Sequence, residues 1–282
     1  MNIGSERSRV ARSAAEAALV RIVHHYGDRP EFVVLGGLVP ELLCSSSGQL
    51  HAGTSDIDVQ VDLEIASGSV QTQRLERALK NAEFSPESER IWRWQTKNNG
   101  ASSAVVKFEL LADQDDSPSN ATLRFNDCEQ LGAANLRGTG YAARDFTKHS
   151  LNAKIGDQEL QVDINIAGLA GFLLAKVAAA HSRRKEKDWY DIAFVLIHNN
   201  AGGSLVAASK VKEAFGDEVE SGYINTALKE LQANFQNPTD QGPMAYSLQF
   251  RRDHPNTEEV VNRADAVVAV QNFYDAIFSD KG

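Results

Sequence analysis

Cysteine is scarce in this 282-residue chain, which contains only Cys44 and Cys128. Two cysteines so far apart in sequence form neither a disulfide framework nor a structural zinc site, and a reducing compartment is the simplest expectation. Long apolar runs are also lacking, since no segment approaches the roughly 18 apolar residues of a membrane-spanning helix. No apolar run of signal-peptide type follows the N-terminal arginines. We therefore expect a soluble, cytoplasmic protein with no membrane partner.

Basic residues are in the minority, because 29 Lys and Arg stand against 38 Asp and Glu, a formal net charge of −9. This balance excludes a protein that coats nucleic acid over its whole surface, since binding a polyanion would require a local basic patch. The length indicates about two domains, at roughly 150 residues per domain.

Hydrophobic periodicity changes near residue 168 from a period of 2 to one of 3.6. Before that point the pattern predicts strands, with helices between them, over 32–35, 56–63, 104–112, 146–155 and 159–166. After it, the pattern predicts helices that begin near Leu169 and Trp189 and further helices near 205–215, 221–236 and 256–278. The sequence therefore predicts an α/β (α+β) fold, with a mixed sheet in residues 1–167 and a mostly helical domain in residues 168–282.

Two carboxylates mark the start of the strand predicted over 56–63. Asp56 and Asp58 are two residues apart, and so they project from the same face of a strand. Like charges at this spacing repel unless a cation lies between them, and paired carboxylates suit Mg²⁺ together with substrate phosphates. The alternative interpretation of the Asp-x-Asp pattern is a solvated polar strand face.

A glycine pair precedes these carboxylates. Gly36-Gly37 follows a short apolar strand, and glycines at such a turn let the backbone approach a bound group closely. The N-terminus of the short helix that should follow offers free N–H groups to phosphate. Gly36-Gly37 followed by Thr54-Ser55-Asp56-Ile57-Asp58 resembles the nucleotidyltransferase fold of the polymerase β superfamily.

That resemblance implies a nucleoside triphosphate and two metal ions held by these residues. Gly36, Gly37, Thr54 and Ser55 would bind the triphosphate, and the metal ion would be Mg²⁺, with Mn²⁺ as the alternative. The resemblance also implies a third carboxylate from a neighbouring strand. Glu109 is the candidate for this metal ligand and Asp113 the alternative, since the strand pattern does not decide between them.

A second set of residues lies in the helical half. Lys176 has apolar neighbours three and four positions away, so its ammonium group must either extend to solvent or meet an anion. A basic cluster follows, made up of Arg183, Arg184, Lys185 and Lys187, and it is interleaved with Asp188 and Asp191 in a Lys-Asp-x-x-Asp pattern. Taken alone, the cluster fits a solvated helix end, and Asp188 fits an N-terminal cap or first-turn acid.

In this order, the lysine and the Lys-Asp-x-x-Asp pattern are similar to the AbiEii/AbiGii-type nucleotidyltransferase toxins of type IV toxin–antitoxin and phage-defence systems, which include the MenT toxins. This resemblance implies that Lys176 contacts the triphosphate and that Asp188 orients or deprotonates the acceptor, with the helical domain completing the active-site cleft. It also implies tRNA 3′ ends as acceptor, contacted by Arg183, Arg184, Lys185 and Lys187, and an antitoxin protein as partner. Ala52 stands where the family commonly has arginine, and His51 or a residue from elsewhere is the substitute.

Other functions share these residues. A non-catalytic module on the same fold would sense a nucleotide or bind a partner protein without a third carboxylate. A small-molecule nucleotidyltransferase, of the kind that modifies antibiotics, would differ only in its acceptor. The segment Arg90-Ile91-Trp92-Arg93-Trp94 fits either a surface that stacks bases or a strand with one buried tryptophan face.

Overall fold

A computed structural model describes residues 9–61, 70–96 and 105–279 of the chain. Residues 62–63 and 104, which the sequence places in two of the predicted strands, lie outside this described part. The described chain divides into two compact units. The first comprises residues up to Leu38 together with Gly53–Ala167, and the second comprises Val39–Ala52 together with the residues from Gly168 onward. The sequence-based division at residue 167 did not separate Val39–Ala52 from the first half.

The first unit is built around one mixed sheet, to which nine described strands contribute. The strands are β1 Val33–Leu35, β2 Asp56–Gln60, β3 Phe84–Glu87, β4 Arg90–Thr96, β5 Lys107–Ala112, β6 Thr122–Arg124, β7 Gly132–Asn135, β8 Phe146–Ile155 and β9 Gln158–Ala167. Their order is β3-β4-β5-β2-β1-β9-β8, and β7 pairs with both β5 and β6. The predicted mixed sheet is confirmed.

Strand β2 lies at the centre of this sheet. It pairs antiparallel with β1 and parallel with β5, so its polar residues are flanked on both sides by neighbouring strands. Ile57 and Val59 alternate with its carboxylates and are fully buried. The strict polar–apolar alternation of the sequence therefore produces one core face and one polar face, as expected for period 2.

Three of the described α-helices before residue 168 belong to the first unit and one to the second: α1 Arg9–Tyr26, α2 Val39–Leu43, α3 Val70–Asn81 and α4 Gly140–Arg144. Helix α1 packs against α3 and against β8 and β9, and its buried residues include Ala15, Leu19 and Ile22. The short helix α4 contacts β1, β2 and β9. Helix α2 belongs to the second unit.

The second unit is helical, as the sequence predicts. Its longer helices are α5 Leu169–Arg183, α6 Glu186–His198, α7 Ser204–Phe215, α8 Gly222–Ala233, α9 Gln241–Asp253 and α10 Glu259–Phe278. Helix α6 is central, because it contacts α2, α5, α7, α9 and α10. Helix α5 ends at Arg184, which has left-handed backbone dihedrals and whose N–H donates to the Ala180 carbonyl, a common way to end a helix.

Within the described residues, none of the helices combines the length and the apolar character that crossing a bilayer requires. Cys44 is buried and Cys128 is partly buried, and neither forms a disulfide.

Candidate functional site

Asp56 and Asp58 lie side by side on the polar face of β2. Both are partly exposed, whereas Ile57 between them is completely buried. Strand pairing places Asp58 opposite Leu35 of β1 and opposite Glu109 of β5. The same-face placement predicted from the sequence spacing is thus what the strand geometry provides.

The Gly36–Gly37 turn directly follows β1 and closes over this face. Gly36 has φ +77°, a backbone conformation that favours glycine, and a Cβ atom there would overlap the Asp58 carboxylate. A Cβ atom on Gly37 would lie 2.8 Å from the Thr54 Cβ atom. Both glycines are therefore required by close approach, one to the carboxylate and one to the loop that leads into β2.

That loop is fixed by its own hydrogen bonds. The Asp56 backbone N–H donates to Thr54 Oγ1 at 3.1 Å, and the Lys107 N–H donates to the Ser55 carbonyl at 3.1 Å. Thr54 and Ser55 are both buried. The residues predicted to bind the triphosphate, Gly36, Gly37, Thr54 and Ser55, are consequently assembled around the carboxylate pair within the first unit.

Glu109, the candidate third carboxylate, reaches the same face but has a cationic partner. Its Oε1 atom lies 2.7 Å from Arg93 Nε, in an ion pair across β4 and β5. Lys107, two residues earlier on β5, lies opposite Asp56 with its Nζ atom 4.0 Å from Asp56 Oδ1. The polar face of the sheet therefore carries an arginine and a lysine as well as carboxylates.

Asp113, the alternative candidate for the third carboxylate, accepts hydrogen bonds from two backbone N–H groups. It lies just beyond β5, and its Oδ2 atom accepts hydrogen bonds from the backbone N–H groups of Gly138 and Gly140 at 2.9 and 3.0 Å. Burial raises the pKa of this carboxyl group although the two hydrogen bonds act in the opposite direction. Asp113 thus holds the loop that leads into α4.

The donor atoms of this arrangement limit how a metal ion could bind. Among the described residues, no group of three or more His, Cys, Asp and Glu side chains is arranged to hold a metal ion, so Asp56, Asp58 and Glu109 do not form such a cluster. Asp56 and Asp58 with the Cβ-free turn at Gly36 nevertheless suit Mg²⁺, which proteins often bind through one or two carboxylates while phosphates and water complete the coordination.

Lys176 and Asp188 come together in the second unit, in a buried ion cluster. Lys176 Nζ lies 2.7 Å from Asp191 Oδ2 and 3.4 Å from Asp188 Oδ1. Asp188 also accepts two hydrogen bonds from the Arg183 guanidinium, at 2.7 and 2.8 Å. The Lys176 ammonium group therefore meets carboxylates and does not extend to solvent.

Burial and charge oppose each other in this cluster. Burial alone would lower the pKa of the Lys176 ammonium, but Asp191 and Asp188 hold it above its ordinary value. Burial alone would raise the pKa of the Asp188 carboxyl, but Lys176 and Arg183 hold it below its ordinary value. Both groups are therefore charged at neutral pH.

His51 belongs to this cluster. It is completely buried, and its Nε2 atom lies 3.0 Å from Asp191 Oδ1. The neighbouring Ala52 N–H donates to the Tyr190 hydroxyl at 3.1 Å. The His51 ring also packs against Tyr190 and Phe194. That His51 substitutes for an arginine near the triphosphate stays a prediction.

The basic cluster of the sequence is only partly available to a polyanion. Arg183 binds Asp188, and Arg184 Nε lies 3.0 Å from Glu230 Oε1. Lys185 is exposed and Lys187 is partly exposed. The predicted tRNA contacts of these four residues remain a prediction.

Three residues of these clusters were not among the predicted site residues. Asp191 is the stronger partner of Lys176, and the i, i+3 spacing of the Lys-Asp-x-x-Asp pattern was a signal that both acids face the same neighbour. Arg93 and Lys107 are placed on the carboxylate face by strand pairing, which no local pattern reveals.

Comparison with known proteins finds a likeness in structure but none in sequence. No protein-family model matches the chain, and no curated protein matches it in sequence. A solved structure described as "putative nucleotidyltransferase from H. pylori" is similar to this chain at a TM-score of 0.42 and 13% sequence identity, over 94% of this chain and 96% of that one.

Proposed function

We propose that the protein is a nucleotidyltransferase that moves a nucleoside monophosphate from a nucleoside triphosphate to an acceptor hydroxyl, with pyrophosphate leaving. The observation that carries the proposal is the contact between the Gly36–Gly37 turn and the Asp58 carboxylate, beside Asp56 on the same strand face. A glycine turn against paired carboxylates provides backbone N–H groups for phosphate and oxygen ligands for Mg²⁺ in one place.

Asp56 and Asp58 would hold Mg²⁺, or Mn²⁺, and a divalent ion there supplies charge neutralisation for the reacting phosphates. Gly36 and Gly37 would let the triphosphate approach the backbone. Thr54 and Ser55 would fix the loop beside it. In the reaction, the acceptor oxygen forms a bond to the α-phosphorus, and the bond from that phosphorus to the pyrophosphate oxygen breaks.

The roles that the family resemblance gives to Lys176 and Asp188 are part of the proposal. The lowered pKa of Asp188 makes it a weak proton acceptor, and orienting the acceptor therefore fits it better than deprotonating the acceptor. To bind the triphosphate, Lys176 would have to release Asp188 or Asp191.

The central experiment is transfer of α-labelled nucleotide by the wild-type protein and by Asp56→Asn and Asp58→Asn, with each of the four NTPs. Both variants should fold and should lose transfer, because one of two ion ligands is gone. Wild-type turnover by either variant with Mg²⁺ would contradict the proposal. An increase in melting temperature without metal is also expected, since neutralising one carboxylate relieves repulsion.

The finer proposal is a toxin that modifies tRNA 3′ ends and is controlled by an antitoxin protein. It is supported by the order of the lysine, the basic cluster and the Lys-Asp-x-x-Asp pattern. Transfer to total tRNA should exceed transfer to small-molecule hydroxyl acceptors. Lys185→Ala should weaken only tRNA modification, in a salt-dependent way, because Lys185 is exposed.

A pair of variants separates the two roles of Lys176. Lys176→Met leaves Asp191 without its cation, whereas Lys176→Met combined with Asp191→Leu removes both charges. If Lys176 binds triphosphate, the double variant should recover part of the stability, since His51 still loses its partner, but it should not recover transfer. Recovery of both would show that the lysine only packs the helices.

A non-catalytic nucleotide-binding module is the second candidate. The observation that favours it is the ion pair between Glu109 and Arg93, since no three-ligand metal cluster forms among the described residues. Metal-dependent nucleotide binding without pyrophosphate release, for all four NTPs and all acceptors, would support this candidate.

A further inference from the structure

Charged side chains form a row across three neighbouring strands of the sheet. Arg93 of β4 lies opposite Glu109 of β5, and Glu109 lies opposite Asp58 of β2. Residues directly opposite each other project from the same face of a sheet. Since neighbouring strands are about 4.8 Å apart, the Cα atoms of Arg93 and Asp58 are separated by roughly 10 Å on this face.

The guanidinium group of Arg93 is held from two sides. Its Nε atom lies 2.7 Å from Glu109 Oε1, and its Nη1 atom donates to Glu87 Oε2 at 3.2 Å. The Trp92 ring lies 4.8 Å from the Arg93 Cζ atom. The Arg93 side chain keeps 21% of its surface exposed and Glu109 keeps 15%. A long side chain that is normally mobile is thus fixed, and it remains open to a ligand.

Lys107 adds a second cation to the face. It lies opposite Asp56, and its side chain is 25% exposed. Arginine presents planar N–H groups that match phosphate oxygens, and lysine adds a compact positive charge. The two cations therefore lie along one side of the carboxylate pair, where the phosphates of a metal-bound nucleotide would extend.

Resting on the proposed nucleotidyltransfer, we propose that Glu109 is a positioning residue for Arg93, and that Arg93 and Lys107 form a polyphosphate subsite beside Asp56 and Asp58. In this assignment no third carboxylate binds the metal ion, and Arg93 instead contributes a positive charge that binds the polyphosphate. The site then binds a divalent ion through two carboxylates, and Glu109 acts on the nucleotide only through the arginine.

The first measurement is Mn²⁺ binding by electron paramagnetic resonance, without nucleotide. Asp58→Asn should weaken binding by about tenfold or more, which corresponds to ~1.4 kcal/mol. Glu109→Gln should change it by less than about threefold, because Glu109 already has a cationic partner. Arg93→Gln should strengthen binding, because it removes a positive charge and releases Glu109.

The second measurement is binding of inorganic tripolyphosphate in the presence of Mn²⁺, by calorimetry over a salt series. Arg93→Gln and Glu109→Gln should each weaken it roughly ten- to a hundred-fold, as expected for a charge-assisted contact. Arg90→Gln is the matched control, since Arg90 is on the same strand, is more exposed and lies 3.8 Å from Glu87. That variant should bind like the wild type.

Each result decides between defined alternatives. If Glu109→Gln lowers Mn²⁺ affinity as strongly as Asp58→Asn, Glu109 is a metal ligand and the assignment is wrong. Unchanged tripolyphosphate binding by Arg93→Gln would equally overturn it. Arg93→Lys keeps the charge but loses the planar group, and its partial recovery of binding would exclude simple misfolding. If Asp58→Asn also leaves both affinities unchanged, the proposed function itself fails.

Discussion

Asp191 should be the most sensitive single position of the helical unit. Its two carboxylate oxygens serve two buried partners, with Oδ2 2.7 Å from Lys176 Nζ and Oδ1 3.0 Å from His51 Nε2. The Asp191 side chain is 2% exposed and that of Lys176 is 8% exposed. Asp191→Asn keeps the shape and one acceptor oxygen but removes the charge. Lys176 would then depend on Asp188, which already binds Arg183.

The expected cost follows from this burial. Removing one partner of a buried ion pair generally costs about 3–5 kcal/mol, because the other charge stays buried and uncompensated. Since asparagine still accepts a hydrogen bond, we expect the lower end of that range, about 3 kcal/mol. Against a typical unfolding free energy of roughly 5–15 kcal/mol, this is a large fraction of the stability.

The cost should also depend on pH. In the wild type, the pKa of Lys176 is raised by Asp191 and Asp188 against the effect of burial, so this stabilisation is complete below the ordinary lysine pKa and is lost only as pH rises through the raised value. In Asp191→Asn, the larger carboxylate contribution is lost while burial still acts, so the pKa of Lys176 falls relative to the wild type. The folded variant then loses the Lys176 proton at a lower pH than the wild type does. The difference in unfolding free energy between the two proteins should therefore shrink between about pH 7 and pH 10, the range over which a lowered lysine pKa titrates.

Urea unfolding followed by tryptophan fluorescence measures this difference, because Trp189 is buried next to the cluster on α6. Asp275→Asn, on the exposed side of α10, is the control and should be within about 0.5 kcal/mol of wild type. A loss below about 1 kcal/mol in Asp191→Asn, or a deficit that grows with pH, would refute the interpretation of the cluster as a compensated buried network.

Three further predictions concern single side chains. Gly36→Ala should destabilise the protein and weaken Mn²⁺ binding, because the new Cβ atom would overlap the Asp58 carboxylate. Gly48→Ala is the control: Gly48 has φ +69° and open space around it, so this variant should cost only about 1 kcal/mol of unfolding free energy in a denaturation assay. Asp113→Ala should lose roughly 1–3 kcal/mol by orphaning two backbone N–H groups, whereas Asp113→Asn should keep or raise the melting temperature at pH 7, since burial raises the pKa of this carboxyl group. Burial lowers the pKa of His198 from 6.5 to about 4; because the unfolded chain binds more protons between these values, stability should fall on acidification through this range, and His198→Gln should flatten that part of the melting curve against pH.

Local periodicity predicted most of the fold. The polar–apolar alternation of β2 predicted both the strand and the shared face of Asp56 and Asp58, and the change of period at residue 168 predicted where the helices begin. Helix α9 was missed because the polar stretch over 237–243, which ends in Gly242-Pro243, suggests a break. In the structure these residues lie in the first turn of the helix, where proline loses no helical hydrogen bond.

Short strands with weak local signals were also missed. Strand β7, Gly-Ala-Ala-Asn, contains no β-branched or aromatic residue, and it is a strand because it pairs with β5 and β6. The tertiary environment rather than intrinsic preference fixes such an element. The strand over 90–96 was one of two interpretations of the sequence, and the complete burial of Trp94 agrees with it.

The site could be predicted only as far as local spacing extends. Asp56 and Asp58 are two residues apart, but Arg93 and Glu109 meet through strand pairing, and His51 and Asp191 are 140 residues apart in the chain. The choice between Glu109 and Asp113 likewise depended on the partners of each carboxylate, which are an arginine side chain and two backbone amides. A single sequence contains no local signal for such contacts.

Exposure distinguishes the chemistry of the two charge clusters. In the cluster on α5 and α6, Asp188 is completely buried and Lys176 nearly so, so an incoming anion would have to displace a carboxylate from a site that water scarcely reaches. On the sheet, the side chains of Asp56, Lys107, Arg93 and Glu109 keep between 15% and 25% of their surface exposed. Ions can exchange there without unfolding, because a metal ion can bind Asp56 in place of Lys107 and a phosphate can bind Lys107 or Arg93 in place of a carboxylate. We therefore expect metal and polyphosphate to bind first on the sheet, and the buried cluster to take part only if Lys176 releases a carboxylate.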